Sequence, residues 1–156
     1  MKYSLIKGFS FGLTSAIITT LGLMIGLYSA TSNKLVVIAG ILSIAIADSF
    51  SDALGIHISE ESINKSDKHI WEATLSTLFS KFGFALLFLI PVLLFSLKNA
   101  IIISIIISLF ALSCLSYKIA LRTKDNPVTV ILEHIVIAIV VIFVTYYVGK
   151  FTALLI

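Results

Sequence analysis

Residues 35–62 read LVVIAGILSIAIADSFSDALGIHISEES, an apolar run that ends in polar residues. About 20 predominantly apolar residues are enough to cross a bilayer as an α-helix. The first part of this stretch therefore predicts a membrane span. Two carboxylates, Asp48 and Asp52, lie inside the run and four residues apart. The stretch thus predicts a membrane helix that carries acidic side chains.

The composition of the whole chain also indicates lipid as its solvent. Of the 156 residues, 59% are hydrophobic and 12% are charged, and the mean hydropathy is +1.13. A soluble domain has about 25% charged residues, and a small domain cannot bury so much apolar surface. The net charge of +3 is spread over lysines between apolar runs. We therefore expect a lipid bilayer around the chain and no nucleic acid as a binding partner.

Apolar runs recur along the chain at a spacing that predicts five spans. Their approximate bounds are 8–30, 35–56, 78–97, 99–117 and 128–149. The chain is therefore predicted to be an all-α integral membrane protein with a single membrane domain over residues 1–156.

The basic residues predict the orientation, because cytosolic loops carry an excess of Lys and Arg. With the N-terminus in the cytosol, the inner segments hold eight basic residues and the outer segments hold three. The inner eight are Lys2, Lys7, Lys65, Lys68, Lys81, Lys118, Arg122 and Lys124. The N-terminus is thus expected inside and the C-terminus outside, in the cell membrane rather than an organelle membrane.

A stripe of small residues follows one face of the first span. At about 100° per residue, its members fall within an arc of about 80°; they are Gly8, Gly12, Ser15, Thr19, Gly22, Gly26 and Ala30. Small residues let membrane helices approach closely. The stripe predicts either a homodimer interface through the first span or packing against another span of the same chain.

The two aspartates of the second span share a helix face, and Asp48 lies too deep for its short side chain to reach water. An intramembrane carboxylate is a functional hypothesis by default. Oxygen ligands suit Mn²⁺, Mg²⁺ or Fe²⁺ better than a thiophilic metal. Asp48 and Asp52 are therefore candidate metal ligands. The alternative is a hydrogen bond between helices or an ion pair, for which Lys81 on the third span is the candidate nearest in membrane depth.

The polar segment 57–77 between spans two and three extends the candidate site. Its candidate metal-binding residues are His57, Glu60, Glu61 and Glu72. They are expected to collect cations at the cytosolic mouth, and a solvated acidic loop is the alternative. In span five, Glu133 is a candidate gate or proton-relay residue, or a partner for a cytosolic lysine.

The sequence argues against an enzyme. It lacks a nucleophile motif, a phosphate-binding glycine loop and a zinc-protease motif, and Cys114 is the single cysteine. No permanently bound cofactor is expected, and a divalent cation would be the transported substrate.

Four stretches resemble the vacuolar iron transporter family of iron and manganese exporters. They are GFSFGLTSAIITTLGLMIGLYSAT (8–31), VVIAGILSIAIADSFSD (36–52), KFGFALLFLIPVLLF (81–95) and VIFVTYYVGKF (141–151). The resemblance implies a homodimer whose first spans line an ion path. It also implies export of Fe(II) or Mn(II) from the cytosol, possibly coupled to protons.

Three positions depart from that family pattern. Phe11 stands where the family usually has an aspartate, Ile44 where it often has a methionine, and an apolar residue near Val36 where it has an acidic one. Two hypotheses follow. Either the metal site has moved to Asp48 and Asp52, or the protein is a non-transporting scaffold or metal sensor of the same fold.

Overall fold

A computed structural model describes residues 3–155, which form six helices joined by short turns. In chain order they are α1 (Tyr3–Thr31), α2 (Lys34–Ser62), α3 (Asp67–Leu87), α4 (Leu89–Leu94), α5 (Leu97–Thr123) and α6 (Pro127–Ala153). Because α3 and α4 form one nearly continuous segment, five segments are long and apolar enough to cross a membrane. The prediction of an all-helical chain with five such segments is confirmed.

Asparagine side chains begin two of the long helices. Asn33 Oδ1 accepts hydrogen bonds from the backbone N–H groups of Leu35 and Val36, at 2.9 and 3.4 Å. Asn126 Oδ1 accepts one from the N–H of Val128 at 2.9 Å. These caps satisfy N–H groups that the first helical turn leaves without a partner. They fix where α2 and α6 begin.

A proline interrupts the third span. Pro91 has no backbone N–H, and its ring conflicts with the carbonyl four residues earlier, which belongs to Leu87. In agreement with this, α3 ends at Leu87 and α4 begins at Leu89. The third membrane-length segment therefore has a break in its helix at Phe88.

Helix α1 lies at the centre of the bundle and contacts α2, α3, α5 and α6. Its small residues make the close contacts possible. A Cβ atom on Gly8 or Gly12 would overlap atoms of α3, and one on Gly22 would lie 3.0 Å from a methyl group of Val141 on α6. Close backbone approach of this kind holds membrane helices together where no hydrophobic driving force exists.

The glycines of the small-residue stripe thus pack within the chain, which is one of the two interpretations that the sequence left open. Gly8 and Gly12 face α3, whereas Gly22 and Gly26 face α6. A homodimer through Gly8, Gly12, Ser15, Thr19, Gly22 and Gly26 stays a prediction.

The helices extend beyond the predicted spans. α2 continues without a break through Gly55 to Ser62, and α3 begins at Asp67. The polar segment 57–77 therefore consists of the end of α2, a four-residue turn at 63–66 and the start of α3. Its side chains lie on helices rather than on a loop.

Candidate functional site

Asp48 and Asp52 lie one turn apart on α2 and are both partly buried. Their side chains are 27% and 20% exposed. The continuity of α2 keeps them on one face, as the four-residue spacing predicts. That face is directed at α3 and at an open groove beside α1.

Lys81 of α3 bridges the two aspartates. Its side chain is 1% exposed, and its Nζ atom lies 2.5 Å from Oδ2 of Asp48 and 2.5 Å from Oδ2 of Asp52. It also donates a hydrogen bond of 2.8 Å to Ser15 Oγ on α1. The ammonium donates hydrogen bonds to Asp52 Oδ2 and Ser15 Oγ, and its contact with Asp48 Oδ2 is an ion pair. The ion pair with Lys81 that the sequence allowed as an alternative is thus present, and the cluster has a net charge of −1.

The two carboxylates are not held equally. Asp52 Oδ2 accepts a hydrogen bond from Lys81 Nζ. Asp48 Oδ2 lies at the same distance but is buried outside hydrogen-bonding geometry. Both carboxylates are therefore paired with Lys81, and the Asp48 side chain is the more exposed of the two.

Asp48 also lines a groove that is open at the surface of the bundle. The other lining residues of this groove are Thr19, Ile44, Ala47 and Ser51. The hydroxyl-bearing residues Thr19 and Ser51 thus border the same space as the carboxylate. Ile44, which stands at the methionine position of the family resemblance, lies beside it.

A longer groove continues along the small-residue face of α1. It shares Thr19 and Ile44 with the first groove, and it runs between α1, α2 and α6 past Gly22, Leu23, Gly26, Leu27, Ala30, Thr145, Val148, Gly149 and Thr152. The two grooves therefore adjoin at Thr19 and Ile44, beside the part that Asp48 lines.

The other predicted metal-binding residues have separate partners near the α2–α3 turn. Glu60 is 1% exposed and pairs with Lys7 of α1 and with His69 of α3, whose Nε2 lies 2.9 Å from Glu60 Oε2. Ser4 Oγ donates a 2.6 Å hydrogen bond to Glu72 Oε2. These contacts fasten the ends of α1, α2 and α3 together.

His57 and Glu61 do not join that cluster. His57 Nδ1 lies 3.1 Å from Thr74 Oγ1, and its ring packs edge-on against Trp71. Glu61 is exposed. Within residues 3–155, no three His, Cys, Asp or Glu side chains lie close enough together to hold a metal ion.

Glu133 lies far along the chain on α6 and is exposed on an apolar helix face beside Thr129 and Val136. It forms no salt bridge with any other residue in the described range 3–155. Its neighbour His134 has its Nδ1 atom 2.7 Å from Ser116 Oγ and so links α6 to α5.

The sequence did not predict the contacts of Lys7 and Ser15, and it placed His69 with Glu60 in a cation-collecting patch rather than as the ion-pair partner of Glu60. Lys7 entered the sequence analysis only as one of the inner basic residues, and Ser15 only as a member of the small-residue stripe. No spacing within one helix relates them to Glu60 or Lys81. Only the packing of α1 against α2 and α3 brings these residues together.

A comparison with protein-family models matches residues 52–150 to the VIT family. The match covers most of the chain, from Asp52 on α2 to Lys150 on α6, and the chain belongs to the VIT family, the vacuolar iron transporters. Members of the family are divalent metal transporters and not enzymes. A comparison with individual curated proteins gives no match. Asp48 and all of α1 lie outside the matched range.

Proposed function

We propose that this protein exports Fe(II) or Mn(II) from the cytosol, with Asp48 and Asp52 as its membrane site. The position of Asp48 carries the proposal. It lies inside the predicted span 35–56, thirteen residues after Leu35 and eight before Ile56, which correspond to about 20 and 12 Å at ~1.5 Å per residue. A carboxylate this far inside a membrane span is costly and is expected to serve a function.

The chemistry around Asp48 suits a hard or borderline divalent cation. Its carboxylate shares an open groove with Thr19 and Ser51. Carboxylate, hydroxyl and water oxygens are the ligands that Mn²⁺ and Mg²⁺ prefer, and Fe²⁺ accepts them as well. Membership in the VIT family supports a divalent metal as the substrate.

The groove along α1 supports a homodimer as the working unit. Its floor is formed by small residues of the stripe, including Thr19, Gly22 and Gly26, and it opens outward between α2 and α6. A second copy placed over this opening would enclose an ion path between two first spans. The proposal includes a cytosolic N-terminus, a cell-membrane location and coupling to protons, with Glu133 as a relay.

A second candidate function is a scaffold or metal sensor that does not transport. The bridging position of Lys81 favours it, because an ammonium group occupies the carboxylate oxygens that a metal would use. The lack of a three-residue donor cluster within residues 3–155 favours it as well.

Metal flux into proteoliposomes separates the two candidates. The purified protein is reconstituted and assayed with Fe(II), Mn(II), Zn(II), Mg(II) and Ca(II), with and without a pH gradient. Export predicts uptake of Fe(II) or Mn(II) that Asp48→Asn abolishes and that the control Asp125→Asn preserves. Asp125 is exposed in the turn before α6, so its substitution removes the same charge outside the groove. Absence of flux for every ion would support the non-transporting alternative.

A further inference from the structure

Lys81 is the largest fully buried side chain among the described residues 3–155, and it lies in the proposed site. Its ammonium is surrounded by Asp48, Asp52 and Ser15 at 2.5, 2.5 and 2.8 Å. These three oxygens come from two different helices, α2 and α1, while the lysine comes from α3. The arrangement is that of a small cation held by converging oxygen donors.

A divalent metal and the ammonium cannot use the same carboxylate oxygens at one time. Lys81 Nζ is in direct contact with Oδ2 of both aspartates, and a metal ion that bridges the same two oxygens would have to contact them equally closely. A metal bound to those oxygens would therefore lie almost where Nζ lies. Charge repulsion adds to the steric conflict.

We infer that Lys81 is a tethered cation that occupies the cargo site, and that a divalent metal binds by displacing its Nζ atom from Asp48 and Asp52. This inference rests on the proposal that these aspartates are the membrane site. Displacement is easier at Asp48 than at Asp52, because the Asp48 side chain is the more exposed of the two. Asp48 also lines the groove, so an arriving metal ion has access to its carboxylate.

The tethered cation has two consequences for transport. Without metal, the bound ammonium keeps two carboxylates from standing uncompensated in the membrane, which would be strongly destabilising. With metal bound, the displaced lysine is available to return and to compete for the oxygens. Lys81 therefore lowers affinity for the cargo and favours its release.

The test is Mn²⁺ binding to the purified full-length protein in lipid nanodiscs, measured by calorimetry and by the Mn²⁺ electron paramagnetic resonance signal. An opposite charge within about 4–6 Å changes the proton affinity of a carboxylate by about 10- to 1,000-fold. Lys81→Met should therefore tighten Mn²⁺ binding by at least about tenfold. Its matched control is Lys118→Met, which removes one positive charge from an exposed side chain on α5. The control should leave Mn²⁺ affinity within about twofold of the wild type.

The inference is overturned if Lys81→Met binds Mn²⁺ no more tightly than the wild type, or if Lys118→Met tightens binding equally. Where Lys81→Met fails to fold, Asp52→Asn is compared with Asp52→Asn/Lys81→Met, which restores the cluster charge to −1. The double variant should bind Mn²⁺ more tightly, and equal affinities would overturn the inference.

The binding experiment tests the tethered cation and the flux experiment tests transport, so either proposal can be refuted without the other. Tighter Mn²⁺ binding by Lys81→Met together with no flux in the wild type would support the tethered cation and refute transport. Unchanged binding together with flux that depends on Asp48 would refute the tethered cation alone.

Discussion

Lys7 on α1 forms an ion pair with Glu60 on α2, whose side chain is almost completely buried. His69 of α3 approaches the other carboxylate oxygen of Glu60 at 2.9 Å. One carboxylate therefore joins three helices near the α2–α3 turn. This relationship gives Glu60 a structural role, whereas the sequence suggested a place among cation-collecting residues.

Glu60→Gln should lower the stability of the protein more than Glu61→Gln. A hydrogen bond to a charged group contributes about 1.5–3 kcal/mol, and the substitution removes the charge from two such contacts. Glu61 is the adjacent glutamate and is exposed, so it is the matched control. Thermal unfolding in detergent can be followed by the fluorescence of Trp71, the single tryptophan. Equal melting temperatures for the two variants would contradict the structural role.

Asp48→Asn should remove most metal flux, whereas Asp52→Asn should have a smaller effect on flux. Loss of a partner that only orients a metal ligand costs about 10–100-fold in affinity or activity, so loss of a ligand should cost at least about tenfold. Asp52 holds Lys81 through a hydrogen bond, so its substitution should mainly lower thermal stability. Initial rates of Mn(II) uptake test the expected loss of flux, and melting temperatures test the expected loss of stability, in both variants. A larger loss of flux for Asp52→Asn would reverse the assigned roles.

The main features of the fold were predictable because each depends on local sequence. The five apolar runs gave five membrane-length segments, and Pro91 lies just after the break in the third of them. Helix α2 continues past the predicted span 35–56, since residues 57–62 are mostly polar but remain helical. Hydropathy detects the apolar layer of a helix, whereas contacts with neighbouring helices decide how far the helix continues.

The candidate site was only partly predictable for a related reason. The spacing of Asp48 and Asp52 within one helix fixed their common face. Lys81 was identified as a possible partner only because its estimated depth in the membrane matches that of the aspartates. Depth can be estimated from the boundaries of the spans. The rotation of α3 about its axis cannot be estimated in that way, so the sequence left a metal site and an ion pair as alternatives.

The glycines of α1 and α3 predict opposite effects of the same substitution. A Cβ on Gly12 would overlap Ser80 and Thr77 of α3, while a Cβ on Gly83 would meet nothing within 4 Å. Gly12→Ala should therefore destabilise the protein by about 1–3 kcal/mol through overpacking. Gly83→Ala should stabilise it by about 0.5–1 kcal/mol, because glycine is unfavourable inside a helix. Reversible unfolding in mixed detergent measures both, and a stabilising Gly12→Ala would show that α1 and α3 are not in close contact.

The open groove along α1 predicts where two copies meet. Thr19 lies in the part shared by both grooves, and Ala30 lies near the other end of the longer one. In a Cys114→Ser background, Thr19→Cys or Ala30→Cys should form an intermolecular disulfide in the membrane, provided that the two Cα atoms come within about 7 Å. The native Cys114 is exposed on α5, outside the groove, so the unsubstituted protein is the control and should stay uncrosslinked. Oxidation of membranes followed by non-reducing electrophoresis gives the result. Crosslinking through Cys114 alone would place the dimer interface on α5 and leave the groove facing lipid.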